Sequence, residues 1–411
     1  MTHAPFSVVG CGMGRPCLGP EATAAVARAG VLAGGARLLA AFADRPGRRI
    51  PIAGPLPAVL DAIETALEAG ETVAVLADGD PLYFGIGRAL VARFGPERLA
   101  FYPNVSAVAT AAARLGRPWH DLPAVSLHGR ADATPFFAAL ARHGAVAVYT
   151  DARNTPAAIA ALLLARGGDA FAMAVCEDLG LAGERVRRLP LAAATGLDDC
   201  SALNLCIVER TRAPEVALAL GLADEALLRR DAVFTKAPVR AVSLAALHLR
   251  PGHVVWDVGA GTGSVALEAS LLNPGGPVFA VERDPGRHAF LVQNIRRTGA
   301  LTVTPVCGEA PDALAGLPDP DRIFVGGGLS GRPELLPGLC GRLRPGGRLV
   351  INAVLLQSLQ QAMAELGRQP DMAVSLTQLQ ASASSPLAGD LRLAADNPVF
   401  ILTAAKEARH A

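Results

Sequence analysis

Long uninterrupted apolar runs are missing from this 411-residue chain, although hydrophobic residues make up 51% of it. Charges break up its longest apolar stretches; residues 157–165, for example, lie between Arg153 and Arg166. No stretch reaches the roughly 18 residues that a membrane span needs, so no membrane partner is expected. A strand-like Phe6-Ser7-Val8-Val9-Gly10 begins so near the N-terminus that no signal peptide is expected, and the location reads as cytoplasmic. Cysteine pairing is absent too: the cysteines at 11, 17, 176, 200, 206, 307 and 340 include no C-x-x-C spacing. That argues against a disulfide framework or a metal ribbon and for reduced thiols. Aromatic residues are only 4% and the formal net charge is +1, which excludes a broad basic, base-stacking surface, so no nucleic-acid partner is expected. Lysine is nearly missing, since Lys236 and Lys406 are the only two among 38 basic residues. Genomic base composition is reason enough for that bias, yet arginine's planar fork also suits a ligand rich in carboxylates. Neither a Ser-His-Asp set nor a metal-ligand cluster is legible.

What is present concentrates in the second half. Val255-Trp256-Asp257-Val258-Gly259-Ala260-Gly261-Thr262-Gly263-Ser264 reads as an apolar strand, a turn with glycines at alternate positions, and the start of a helix. Such glycines let backbone N–H groups approach a ligand where a Cβ would collide. A dinucleotide fingerprint would place its third glycine one residue later. About twenty residues on, Pro277-Val278-Phe279-Ala280-Val281-Glu282 is a second strand ending in an acid, suited to accept hydrogen bonds from ribose hydroxyls. Further strands are expected at 302–306, 322–325 and 348–352, with Gly326-Gly327-Gly328 opening space beyond the fourth, and a terminal hairpin from 387–393 to 397–402. Strands alternating with helical segments imply a parallel, doubly wound sheet with its ligand at the carboxyl strand ends.

The first half repeats the alternation with different turns. Gly10-Cys11-Gly12-Met13-Gly14 follows the first strand, and a phosphate-binding loop is one reading of it. Strand 72–77 runs into Asp78-Gly79-Asp80-Pro81-Leu82-Tyr83-Phe84-Gly85, a tight turn in which Pro81 fixes φ and Gly79 tolerates unusual angles. Strand 99–102 leads to Pro103-Asn104-Val105-Ser106-Ala107, and strand 125–130 ends in His128-Gly129-Arg130.

The loop at 257–263 resembles the S-adenosylmethionine loop of class I methyltransferases, while the Gly-Asp-Pro and Pro-x-Val-Ser turns resemble those of class III, the tetrapyrrole methylase family. The two in this order are similar to the decarboxylating precorrin-6Y methyltransferase family of cobalamin biosynthesis, to which Phe234-Thr235-Lys236-Ala237-Pro238-Val239-Arg240 also corresponds. The resemblance implies an α/β chain: a class III two-subdomain α/β fold at 1–210, a linker at 211–230, within which 215–230 has helical spacing, and a class I Rossmann-like fold at 231–411. It implies S-adenosylmethionine at two sites, one per domain, and a tetrapyrrole substrate. It also implies methylation at carbons 5 and 15 with loss of the ring C acetate carboxyl; carbon 15 and the decarboxylation go to the second domain and carbon 5 to the first. Homo-oligomer formation is a further expectation of the resemblance.

The same resemblance assigns residues. Gly79, Asp80 and Ser106 face the first cofactor, with His128 and Arg130 toward the tetrapyrrole or the cofactor's amino acid. Gly259, Ala260, Gly261, Thr262 and Gly263 line the methionine end of the second, Glu282 its ribose and Ala310 its adenine, and Thr235 closes over it. Lys236 and Arg240 are expected on substrate carboxylates, with His128 as a further catalytic group; His248 and His288 are proton donors by residue type alone. Two competing readings are an RNA methyltransferase, disfavoured by charge and aromatic content, and one catalytic half joined to a tetrapyrrole-binding module.

Overall fold

The computed structural model describes residues 6–229, 234–327, 329, 332 and 334–408. By their contacts the residues fall into two compact units: Met1–Arg130 with Ala145–Ala157 and Met173–Val208, and Ala131–Gly144 with Ala158–Ala172 and Glu209–Ala411.

Two five-stranded sheets build the first half. The first runs Arg48–Pro51, Val31–Gly34, Val73–Ala77, Phe6–Gly10, Leu99–Tyr102 and is parallel throughout. Every residue of Val73–Ala77 is buried, as a central parallel strand covered on both faces requires. Helix Leu56–Glu68 covers it with Val59, Ile63 and Ala66, a spacing of four and three that puts all of them on one face. Burial of Val59 and Ile63 contributes about 1.5–3 kcal/mol each. The second sheet runs Ala124–Ser126, Ala145–Tyr149, Asn204–Arg210, Phe171–Glu177, Arg185–Pro190. Strands Val31–Gly34, Arg48–Pro51 and Arg185–Pro190 had no strand signature in the sequence, because each is short and two of them are rich in arginine.

The seven-stranded sheet of the second half runs Val303–Cys307, Val278–Glu282, Val255–Val258, Arg322–Val325, Arg348–Ala353, Val399–Lys406, Met372–Leu379. Its first five strands are parallel, and Val399–Lys406 runs antiparallel to both of its neighbours. Val255–Val258 has Val278–Glu282 on one side and Arg322–Val325 on the other, so the chain leaves it in opposite directions. That is the switch point where doubly wound sheets open a ligand crevice.

Two expectations are corrected. The hairpin forms between Ser382–Leu387 and Asp390–Ala395, while Val399–Lys406 crosses to pair with Arg348–Ala353 and Met372–Leu379. The near-continuous apolar run over 399–405, buried at four consecutive residues, matches an interior strand, which a hairpin partner with exposed leucines cannot satisfy. The helical spacing across 215–230 does not yield a helix within the described residues; only a 3₁₀ turn, Asp224–Ala226, forms. Side chains of the second unit claim this segment's backbone instead. Glu268 accepts from the Gly221 and Leu222 N–H groups at 3.1 and 3.0 Å, and Asn294 pairs with Leu228. Leu222 and Leu227 are buried in the apolar cluster around Leu267, Leu291 and Ile295.

Candidate active sites

In the first unit, the strand Val73–Ala77 delivers Asp78, Gly79 and Asp80 to its carboxyl end, where two clefts meet. One has a volume of about 480 Å³ and is lined by Asp78, Gly79, Asp80, Tyr83, Phe84, His128, Tyr149 and Thr150 among others. The other, about 540 Å³, is lined by Leu82, Pro103, Val105 and Trp119. Both volumes lie in the roughly 300–1,000 Å³ range of small-molecule sites. Asp80, Tyr83 and Ser106 border both clefts. Asp80 Oδ1 accepts from the Leu82 N–H at 2.8 Å, which fixes the turn. Ser106 is largely consumed as a helix cap, its hydroxyl accepting from Ala109 N–H at 3.2 Å. His128 stands at the lip, with Nδ1 3.2 Å from the Thr150 carbonyl, and Arg130 is exposed on the same loop.

The glycines at 10, 12 and 14 are closed in by packing and do not face open space. A Cβ on Gly10 would stand 2.6 Å from the Gly79 carbonyl oxygen, and one on Gly14 only 1.9 Å from that of Gly180. Gly10 and Gly14 are glycines because other backbone passes through the space a side chain would take, whereas a Cβ on Gly12 would meet the Asn104 side chain at 3.1 Å. Sequence reading passed over the aromatic wall. Phe84 holds a left-handed φ of +57°, and its ring lies 5.1 Å from Tyr149 and 5.2 Å from Tyr83. Burial pushes the Tyr149 hydroxyl well above its ordinary range, and that of Cys176, also on this cleft, up to about 11. Cys176 is therefore a neutral thiol near pH 7, not a nucleophile.

In the second unit, a cleft of about 460 Å³ is lined by Thr235, Lys236, Asp257, Gly259–Thr262, Asn352 and Asp396, and it shares Gly259, Arg287 and Gly327 with a smaller recess of about 110 Å³ at Glu282 and Ala310. All the loop glycines have positive φ, at +74° for Gly259, +59° for Gly261 and +90° for Gly263. Their reasons differ. A Cβ on Gly259 would meet the Gly327 carbonyl oxygen at 2.9 Å, and one on Gly263 would meet Leu291 at 2.4 Å, whereas Gly261 faces open space. Only Gly261 is bare for the sake of the cleft. Its N–H donates to Glu282 Oε2 at 2.8 Å, while Oε1 accepts from Asp284 N–H at 2.8 Å. Glu282 is thus held side-on at its strand end, with further lone pairs available on both oxygens. Ala310 is buried in the recess below it, where Arg332 donates to its carbonyl at 3.0 Å. Gly328 lies outside the described residues.

Asp257 is the acid that sequence reading noted without giving it a role. It is 1% exposed; Oδ2 accepts from Ala266 N–H at 3.0 Å, in the first turn of the helix Ser264–Leu272, and Oδ1 has no partner. Burial, helped by the nearby Glu282 charge, pushes its carboxyl up to about 7. Asn352, at the end of strand Arg348–Ala353, bonds the Ser243 hydroxyl through Oδ1 and likewise leaves its amide nitrogen without a partner. Two unpaired polar atoms on one cleft wall are a site prepared for a polar ligand. A bound α-ammonium beside Asp257 would answer the first of them.

Arg240 requires a correction. It is fully buried, with Nε on Glu268 Oε1 at 2.6 Å, Nη1 on Thr235 O at 2.8 Å and Asp224 Oδ1 at 3.1 Å, and Nη2 on the Leu222 carbonyl. Four of its five hydrogens are spent inside the protein and none of the side chain is exposed, so it holds Thr235 in place and presents nothing to a substrate. Lys236 does reach the cleft, at the N-terminus of helix Ala237–Leu247, and pairs there with Asp396. His248 caps the far end of that helix, and neither it nor His288 lines the cleft. Arg348 and burial keep His248 below its usual value, which disfavours an imidazolium.

Comparison with known proteins gives a consistent picture. Residues 5–195 match the family described as Tetrapyrrole (Corrin/Porphyrin) Methylases, and residues 226–406 match the Precorrin methyltransferase domain. A precorrin-6Y C(5,15)-methyltransferase [decarboxylating] from Sinorhizobium sp is 36% identical over 93% of this chain and 92% of its own length. Two half-length proteins of Salmonella typhimurium also match. A cobalt-precorrin-6B C(15)-methyltransferase (decarboxylating) is 38% identical over 46% of this chain and 97% of its own. A cobalt-precorrin-7 C(5)-methyltransferase is 40% identical over 46% of this chain and 92% of its own.

Proposed function

This chain belongs to the precorrin-6Y C(5,15)-methyltransferase (decarboxylating) family, and from that premise we propose that each half carries its own S-adenosylmethionine site and its own methyl transfer. The second half methylates carbon 15 and removes the ring C acetate carboxyl as carbon dioxide; the first methylates carbon 5, giving precorrin-8. Two half-length relatives, one named for each carbon, support the division. The observation that carries the second site is the orphaned Asp257 Oδ1 beside the open face of Gly261 at the sheet's switch point.

When bound, the cofactor supplies a methyl group already activated on a sulfonium, and the enamine-like meso carbon of a reduced tetrapyrrole is already nucleophilic. The protein's task is therefore placement and exclusion of water, worth several powers of ten in effective concentration. Asp257 accepts from the ammonium, Glu282 from the ribose, and Ala310 packs on the adenine. Lys236 turns from Asp396 to a substrate carboxylate, and Arg240 keeps Thr235 over the cleft. In the first unit, Asp80 and Ser106 border both clefts, with Gly79 and His128 lining the first of them. A cofactor in the deeper cleft and a macrocycle on Leu82, Val105 and Trp119 would meet at Asp80.

Self-association is supported by the ribbon Ser382–Leu387 and Asp390–Ala395, where Leu387, Leu391 and Leu393 are 55%, 68% and 76% exposed. No described helix is long and apolar enough to cross a membrane. Free cysteines throughout the described residues support a cytoplasmic setting, and a net charge of +1 speaks against nucleic acid.

Product mass from the full chain given precorrin-6Y and cofactor tests this. Wild type is expected to add two methyl groups and lose carbon dioxide. Asp80→Ala should lose one methyl transfer and keep the decarboxylation. If Asp80→Ala changes neither methylation, the first half is a binding module. If wild type binds cofactor and leaves the tetrapyrrole intact, the substrate assignment falls.

A further inference from the structure

Asn294 lies on helix Pro285–Thr298, fully buried, and has no part in the chemistry above. Its Oδ1 accepts from Leu228 N–H at 2.9 Å, and its Nδ2 donates to Leu228 O and to Thr262 O, each at 2.9 Å. The two-point pairing with Leu228 fixes the amide plane and also decides which amide atom is nitrogen, because the backbone N–H can meet only the oxygen and the carbonyl only the nitrogen. The remaining hydrogen is thereby aimed at Thr262.

We propose that Asn294 is a positioning residue for the C-terminal cofactor loop, working from an anchor in the segment that joins the two methyltransferase folds. The inference rests on the reading that residues 259–263 hold a cofactor. Thr262 stands between Gly261 and Gly263, both at positive φ, so the peptide planes around it have little steric resistance to rotation. Pinning the Thr262 carbonyl keeps the Gly263 N–H on Ala260 O at 2.9 Å and leaves the Gly261 N–H facing Glu282. A residue serving only to pack would be apolar here, like its neighbours Leu291 and Ile295, because a buried amide is costly unless fully bonded.

The same segment reaches the opposite wall of the cleft. Gly221 and Leu222 donate to Glu268, the Leu222 carbonyl accepts from Arg240, and Arg240 in turn holds the Thr235 carbonyl. One stretch of chain, 221–228, thus registers both the glycine loop and the Thr235–Lys236 wall. Its removal would loosen the site from two sides without touching any residue that meets the ligand.

The test is binding of S-adenosylhomocysteine to the full chain by calorimetry, well below the melting temperature, together with hydrogen exchange of residues 259–263. Asn294→Asp keeps an acceptor for Leu228 N–H but loses the pair of amide hydrogens that meets both carbonyls at once. It should weaken one binding event about tenfold, the scale of a lost buried hydrogen bond, and leave any other unchanged. The loop amides should exchange faster. Leu228→Pro, which removes the N–H that orients the amide, should move both readouts the same way by a smaller factor, and it carries the test if Asn294→Asp does not fold. A lower melting temperature with unchanged affinity and unchanged loop exchange would overturn the proposal. Wild type showing a single binding event would remove the two-site reading by itself; the positioning role would then stand if that event weakens and fall if it does not.

Discussion

A fragment starting at residue 231, the cut that the glycine-loop motif and the apparent linker suggest, is expected not to fold, whereas one starting at 212 should. The extra segment supplies Leu222 and Leu227, 8% and 6% exposed, to the second unit's core. Losing them costs about 1.5–3 kcal/mol each. It also supplies both N–H groups that Glu268 accepts, the Leu222 carbonyl and Asp224 carboxylate that Arg240 uses, and the Leu228 pair on Asn294. Hydrogen bonds to buried charged groups contribute about 1.5–3 kcal/mol each, and water entering the opened site recovers part of that. The sum is on the order of 10 kcal/mol, comparable to the roughly 5–15 kcal/mol that holds a domain together. Scanning calorimetry and near-ultraviolet circular dichroism on the two fragments read the difference. Each kcal/mol moves the melting temperature of a domain of this size by about 2–4 °C, so the shorter fragment should show no cooperative transition near that of the longer one. Melting within about 4 °C of each other would refute the account of 211–230 as part of the second unit's core.

Other expectations follow from single residues. Asp257 ionises near 7 in the folded chain against 3.8 unperturbed, so cofactor affinity should rise with pH through about 7, and isothermal calorimetry should find that rise gone in Asp257→Asn. Stability runs the other way: the raised folded value favours the native state below about pH 4 and that advantage drains between about 4 and 7, so thermal denaturation should show Asn gaining on Asp across that window. Gly261→Ala should fold and weaken cofactor binding. Gly14→Ala, whose Cβ would sit 1.9 Å from the Gly180 carbonyl, should lower the first unit's stability by several kcal/mol in urea titration. Leu391→Glu with Leu393→Glu should shift the sedimentation coefficient toward that of a monomer, and an unchanged value would remove the ribbon from the interface.

Much of the candidate site was legible because its signals are local. A strand, a turn and a helix start within ten residues of one another fix where Asp257 and Gly261 must lie, and Glu282 follows from the next strand end. The Gly79–Asp80 turn was readable for the same reason. Arg240 was not. A basic residue in the first turn of a helix carries no mark of burial; its role depends on Glu268, 28 residues away, and on backbone from a segment whose helical spacing misled. Asn294 carries no sequence signal at all.

The glycines show the same division. Chain order alone determined two α/β folds and placed a glycine-rich turn at a strand end in each. Which glycine serves a ligand and which serves the protein was decided only by tertiary structure. Gly10, Gly14, Gly259 and Gly263 are bare because Gly79, Gly180, Gly327 and Leu291 come to occupy the neighbouring space, and of the three glycines at 259–263 only Gly261 has open space where a Cβ would stand. Local steric preference sets the turn; long-range packing assigns its use.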